Sequence, residues 1–346
     1  MTMPEVIDYL ERYARLSRVP LETGTEVSRL ERLPVGFRVE TNRGTWAARN
    51  VVIATGYCDQ PLIPGMARDL PEAILQLNPY RYRRPEQLPV GGVLVVGAAA
   101  SGIQLADEIH ASGRPVTLAV GVHNRMLRQY RGKDIFWWLD RMGILDETAD
   151  QVLDLEISRG QPAFQLVGRP DRSSIDLGQL AAKGVRIVGR AMGVEGGRMF
   201  FGNDLIPSVS SADFKLAGLL ARIDQFIVDS GLAGEIDDAE PFVPTWQRFF
   251  SSPSPNHCDL WAEGIRTVMW ATGFGRSYPW LQVPVLDKAG EIRHRRGVTP
   301  EPGLYVLGLR FQCRRKSSFI DGVGLDAAEL AEHLSSREAG SHLAVA

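Results

Sequence analysis

The residues best arranged for chemistry lie between Val93 and Ile109, in the run VLVVGAAASGIQLADEI. An apolar stretch ends at Gly97, and Ala98, Ala99, Ala100 and Ser101 form a turn. Gly102 then opens a segment whose Ile103, Leu105, Ala106 and Ile109 recur at helical spacing. The pattern matches Gly-x-Gly-x-x-Gly at its first and last glycines, with Ala99 in the middle place. In such a turn the first glycine permits the tight exit from the strand, and the last lets helix and strand pack closely. The helix N-terminus offers unpaired N–H groups and partial positive charge to a pyrophosphate. These residues therefore point to dinucleotide binding; the other reading is a strand-to-helix turn kept for structure alone.

About 20 residues beyond such a turn, an Asp or Glu commonly reads the ribose of NAD. Here that window is Gly121 to Arg128 and contains no acid. Arg125 and Arg128 stand there instead and suit a ribose 2′-phosphate through charge-assisted, bidentate contacts, which favours NADPH over NADH. The alternative is a solvated loop. A second, shorter element occurs twice: Ile53-Ala54-Thr55-Gly56 and Trp270-Ala271-Thr272-Gly273 both end apolar strands. The remaining reactive side chains form no catalytic triad and no metal-ligand spacing. His110 reads as structural or exposed, His123 and His257 as loop residues, and His294 as part of a solvated basic patch. Cys58, Cys258 and Cys313 are far apart, which argues against a dithiol centre or structural zinc. Phe136, Trp137 and Trp138, like Trp246, Phe249 and Phe250, read as core packing before pocket walls.

The elements that must position these residues follow from periodicity. Pro4 to Arg18 predicts an amphipathic helix, and Thr23 to Ala48 a small β-meander. Asn50 to Gly56 predicts a buried strand, and Pro61 to Pro89 an extended connector rich in Pro and Arg. Gly92–Val96, Ser101–Ser112 and Pro115–Val120 make a βαβ unit, hence a doubly wound α/β sheet. Helices are expected over Asp134–Ile144, Ala212–Ser230 and Asp321–Leu334. Strands are expected over 184–188, 193–195, 198–201, 265–273 and 303–308.

The chain has 346 residues and a net charge of −2, so bulk charge gives no reason to expect nucleic acid or a membrane surface as partner. Its longest mostly apolar run, Gly91 to Ile103, is 13 residues, short of the roughly 20 a membrane span needs. The first residues lack a basic flank followed by an apolar stretch, so the expected location is cytoplasmic.

Taken together, these residues resemble the flavin-containing monooxygenase-like, or more broadly FAD- and NAD(P)-dependent, oxidoreductases. The resemblance rests on NVVIATGYCDQP (Asn50–Pro61), QLNPYRYRRPEQLP (Gln76–Pro89), VLVVGAAASG and VMWATGF (Val268–Phe274). It extends to GLYVLGLR (Gly303–Arg310) and RKSSFIDGVGLDA (Arg315–Ala327). It implies an NADPH-binding domain (92–273) inserted into an FAD-binding domain (1–60 and 274–346), joined by a connector (61–91). Thr55, Gly56, Thr272 and Gly273 would then approach the cofactors, with Gly308 and Asp321 near the flavin; Arg314, Arg315 and Lys316 read either as contacts to flavin or cofactor phosphates or as an exposed basic turn. The expected chemistry is oxygenation of a soft nucleophile or ketone by NADPH-reduced flavin; catalytic residues stay unassigned.

Two departures qualify it. Asn78 stands where the family commonly carries a His. The family's first strand–GxGxxG–helix is not found ahead of Pro4, so the FAD-binding domain is expected to be incomplete. A remnant without flavin turnover, a split assembly or homo-oligomer in which another chain supplies that unit, and a reductase serving a partner are the alternatives to a small-molecule monooxygenase.

Overall fold

Val93 to Val96 and Val116 to Ala119 are buried on both faces, as strands of a parallel sheet covered on two sides must be. The computed structural model describes residues 3–245 and 254–343. In chain order, helix α1 spans Met3–Ser17, and strands β1 (Val27–Arg32), β2 (Phe37–Thr41), β3 (Gly44–Ala48) and β4 (Val51–Ile53) follow. Strands β5 (Leu75–Leu77) and β6 (Gly92–Val96) lead into helix α2 (Ala100–Ala111) and strand β7 (Val116–Ala119). Helices α3 (Ile135–Arg141) and α4 (Leu177–Lys183) precede β8 (Arg186–Val188), β9 (Ala191–Glu195) and β10 (Arg198–Phe201). The long helix α5 (Leu205–Asp229), β11 (His257–Asp259), β12 (Ile265–Trp270), β13 (Leu304–Val306) and helix α6 (Val323–Leu343) complete the series.

The chain divides into two units. One comprises Met1–Gln60, Ile144–Arg159 and Gly275–Ala346; the other comprises Pro61–Gly143 and Gly160–Phe274. In the second unit five parallel strands run in the order β8-β7-β6-β12-β5. This is the doubly wound α/β sheet expected from the βαβ pattern. Helix α2 buries Ile103, Leu105, Ala106 and Ile109 against Val93, Val95 and Leu118. The opposite side of the sheet packs Leu94, Val96, Val268 and Trp270 with Met199 and Cys258 of the β9-β10-β11 meander. Helix α5 begins earlier than the sequence pattern suggests, because Pro207 lies in its first turn, where no intrahelical N–H bond is required. It packs Leu216, Leu220 and Ile223 against Trp138 of α3. Trp138 is fully buried and donates its indole N–H to the Tyr130 carbonyl at 2.8 Å, whereas Trp137 is part-exposed beneath Lys133. Trp246, Phe249 and Phe250 lie outside the described residues.

The expected connector is more than a link. Leu75–Leu77 forms an edge strand of the parallel sheet beside β12, and Asn78 caps the following turn, accepting from the Tyr80 and Arg81 amides. Residues 144–159, expected within the inserted domain, belong instead to the first unit. Backbone bonds from Ala149 to Cys313 and from Arg315 to Glu147 hold them there.

The first unit contains the antiparallel β1-β2-β3 meander and a two-stranded parallel pair, β4 and β13. Its core joins Leu30 and Phe37 to Ile53, Leu281, Val283, Leu304 and Val306. The amphipathic helix forms as expected, with Leu10, Tyr13 and Leu16 exposed. No helix among the described residues is long and apolar enough to cross a membrane.

Candidate dinucleotide and flavin sites

The Gly97–Gly102 turn sits at the C-terminal end of β6, the central strand of the five. Gly97 has φ +105°, and a Cβ there would stand 2.3 Å from the Ala271 carbonyl oxygen. A Cβ on Gly102 would meet the Gly97 oxygen at 1.8 Å. The first glycine thus lets β12's end press against the turn, and the third lets α2 start directly above it. Ala99 is the N-cap of α2 and contributes no side-chain hydrogen bond, so that helix end keeps its backbone donors uncapped by its own side chain. Ala98 is buried, and its carbonyl accepts from the Gln165 side-chain amide at 2.7 Å; Ala100 and Ser101 are part-exposed. Gln165 was not legible as a site residue, since nothing local links it to a turn so far back in the chain.

Arg125 and Arg128, the expected 2′-phosphate ligands, are otherwise engaged. Arg125 is buried and bonds Asp213 at 2.8 Å, Asp176 at 3.0 Å and the Val243 carbonyl at 3.1 Å, under the Phe242 ring. Two carboxylates and a carbonyl occupy both terminal nitrogens of this buried guanidinium and leave only Nε without a partner, which makes it a structural centre. Arg128 pairs with Asp134 at 2.6 Å. A cavity of about 490 Å³ in this unit touches Arg125, Arg131, Arg172, Asp237 and Phe242 but none of the glycine turn.

At the tip of β7, Gly121 accepts from His123 Nδ1 at 2.9 Å, which fixes the proton on that nitrogen. Burial, opposed by this bond, holds the His123 pKa below its ordinary value, so the ring is neutral. His110 bonds the Lys183 carbonyl through Nε2, and His257 stays exposed beside Asn256 and Phe200.

The second Ala-Thr-Gly belongs to the same unit. The Thr272 hydroxyl donates to the Leu62 carbonyl, and the Leu62 amide donates to Gly273 O at 3.0 Å. Gly273 has φ +94° with no atom within 4 Å of its missing Cβ.

In the first unit, parallel pairing sets Val51 beside Leu304 and Ile53 beside Val306. That register carries Thr55 and Gly56 to the same end of the pair as Gly308. Gly56 (φ +73°) and Gly308 (φ +84°) both have nothing within 4 Å of the Cβ position. Close by in sequence, the Arg310 guanidinium lies 5.5 Å from the Tyr57 ring centre. Arg159 donates to the Arg310 and Phe311 carbonyls, and Phe311 itself adopts φ +50°. His294, expected in a solvated patch, is instead largely buried; burial and the neighbouring Arg159 and Arg276 push its pKa down to about 4. Asp321 is exposed just ahead of α6, where Gly322 approaches the Lys316 carbonyl too closely for any Cβ. Arg314, Arg315 and Lys316 pair with Asp326 and Glu329, Glu147, and Asp146 respectively. These pairs explain them without a cofactor phosphate.

Known proteins place this arrangement. The family model for pyridine nucleotide-disulphide oxidoreductases matches residues 1–135. An oxidoreductase of Geobacillus kaustophilus (strain HTA426), described as CzcO-like, is 33% identical over 332 residues, covering 95% of this chain and 77% of that protein. The chain belongs to the CzcO-like oxidoreductases. That makes it a member of an oxidoreductase enzyme family. The oxidoreductase CzcO of Bacillus subtilis (strain 168) is 28% identical over 335 residues, 95% of this chain and 78% of its own length. A flavin-containing monooxygenase from Stenotrophomonas maltophilia shares the fold at a TM-score of 0.60. Its identity is 16%, and the match covers 96% of this chain and 77% of that one.

Proposed function

We propose that this oxidoreductase is an NADPH-dependent flavin monooxygenase acting on a small organic substrate. When bound, FAD supplies the redox chemistry: a hydride comes from NADPH and the electrons go to oxygen, one atom of which enters the substrate while the other leaves as water. The observation that carries the reading is the pair Gly56 and Gly308. Both hold positive φ at one end of a parallel strand pair, with open space where a side chain would stand. A flat cofactor needs such bare backbone to approach closely. The residues present therefore fit FAD in the first unit, with Thr55 and Gly56 on one strand end and Gly308 on the other.

In the second unit, the Gly97–Gly102 turn and the uncapped start of α2 suit a pyrophosphate, whose charge the backbone N–H groups and helix dipole stabilise. The cysteines favour oxygenation over disulfide exchange. Cys258 and Cys313 are buried, with thiol pKa values pushed up to about 11 and about 12, chiefly by burial, and Cys58 has no partner thiol.

The test is spectroscopic and then stoichiometric. Purified protein mixed with FAD and freed of excess should retain flavin absorbance, and NADPH should bleach it without oxygen. With a thioether, amine or ketone panel, NADPH and oxygen consumption should match one to one with little peroxide released. Protein that retains no flavin overturns the proposal. Turnover that releases only peroxide across the panel, or that reduces a protein acceptor faster than oxygen, replaces oxygenation with a reductase or oxidase role.

A further inference from the structure

We propose that Arg190, two residues beyond β8, selects the 2′-phosphate of NADPH at the tip of β7. The inference rests on the dinucleotide reading of the glycine turn and assigns that reading a specificity residue. Gly97 N donates to the Ala119 carbonyl at 2.9 Å, so the cradling turn is tied directly to the end of β7. Gly121 lies two residues beyond that strand end and carries no side chain. In a doubly wound sheet this tip faces the adenosine ribose, where an acid would accept the 2′-hydroxyl of NADH and repel a 2′-phosphate.

The group over Gly121 is a cation. A Cβ built on Gly121 would stand 3.5 Å from Arg190 Nε and 3.9 Å from its Cγ and one terminal nitrogen. The backbone of Arg190 is held in place from three sides. Its N–H donates to Asp204 Oδ1 at 3.0 Å, and its carbonyl accepts from Gly202 N at 2.8 Å. Gly189 packs so tightly on the Gly202 carbonyl that a Cβ would meet the oxygen at 1.9 Å. Val120 N, bonded to Val188 O at 2.9 Å, fastens the two strand tips to each other.

The side chain, by contrast, is available. It is 50% exposed, and its carboxylate neighbour among the described residues, Asp204, is 3.6 Å from Nε. A pair that long and that exposed contributes little, so a phosphate dianion offering several acceptors displaces it readily. Arg125 and Arg128 are held more closely, with carboxylate partners at 2.6 to 3.0 Å. Asp204 thus positions the backbone of Arg190 and competes only weakly for its charge.

Calorimetric titration of the full chain with adenosine 2′,5′-bisphosphate and with AMP, which lacks the 2′-phosphate, tests this without any turnover. Wild-type protein should bind the bisphosphate more tightly. Arg190→Gln should weaken it about 10- to 100-fold and leave AMP unchanged. Arg190→Lys should fall between. Asp204→Asn, which keeps the Oδ1 acceptor but removes the competing charge, should tighten the bisphosphate alone. Equal losses for both ligands, no loss in Arg190→Gln, or weaker bisphosphate binding in Asp204→Asn would overturn the assignment of Arg190. Wild-type protein that binds neither ligand overturns the dinucleotide reading itself and this inference with it, an outcome distinct from the other three.

Discussion

Ala54-Thr55-Gly56 and Ala271-Thr272-Gly273 are the same tripeptide after the same kind of apolar strand, and both glycines hold positive φ in open space, yet the surroundings of the Ala and the Thr differ. Ala54 and Thr55 are exposed, and β4 pairs with β13 alone among the described residues. Ala271 is 6% exposed, its N–H bonds Val96 O at 2.8 Å and its own carbonyl fills the space that Gly97 leaves. Its strand, β12, has a neighbour on each side. The Ala and Thr of the second copy are therefore built into the structure that supports the nucleotide turn, while those of the first are exposed. Identical local sequence gives a packing element in one unit and an accessible surface in the other, because the number of neighbouring strands decides which groups are covered.

The largest effect that tests this contrast is expected at the buried turn. Gly102→Ala should lower stability by about 3 kcal/mol, since the added methyl meets a backbone oxygen that cannot rotate away. Gly56→Ala should lose only about 1 to 2 kcal/mol, the cost of positive φ for an L residue in open space. Urea midpoints compare them, and equal losses would remove the distinction between the two units. Next in size, Ala271→Val should destabilise by about 1 to 3 kcal/mol through overpacking, whereas Ala54→Val should stay within about 0.5 kcal/mol.

A smaller difference is expected at the threonines. Thr272→Val forfeits the hydroxyl bond to Leu62 and should cost about 1 kcal/mol. Thr55→Val, at an exposed position, should leave the midpoint nearly unchanged and be felt in flavin retention. A further test separates the units by pH. His294 in the first unit has a folded pKa pushed down to about 4 from 6.5. The unfolded chain therefore binds a proton that the folded chain refuses, and stability falls as pH drops from about 6.5 towards 4. Thermal melts between pH 7 and 5 should fall less steeply in His294→Gln than in the wild type. An identical slope would mean that His294 does not set this dependence.

What could be read ahead of the structure tracks how local each signal is. The turn and helix from Gly97 to Ile109 were legible because a glycine constraint and a 3.6-residue period both act within a dozen residues. The strand at Leu75–Leu77 was not, as three residues at a sheet edge carry no period to detect. Arg125 looked like a phosphate ligand because its partners, Asp176 and Asp213, are 51 and 88 residues away. His294 looked solvated among Arg293, Arg295 and Arg296, though its burial is set by residues brought in from elsewhere in its unit.

By itself the sequence determined the α/β class, the strand–turn–helix that begins the doubly wound sheet, and the glycines at which backbone had to turn or be approached. These depend on backbone geometry and short-range period, which a few neighbouring residues dictate. The tertiary structure alone decided which cations were consumed by buried carboxylates and which, at Arg190, was left over the strand tip. It also decided in which copy of Ala-Thr-Gly the Ala and Thr were packed and in which they were exposed. Charge pairing and burial are properties of what the fold brings within a few ångströms, and no local stretch of sequence contains that information.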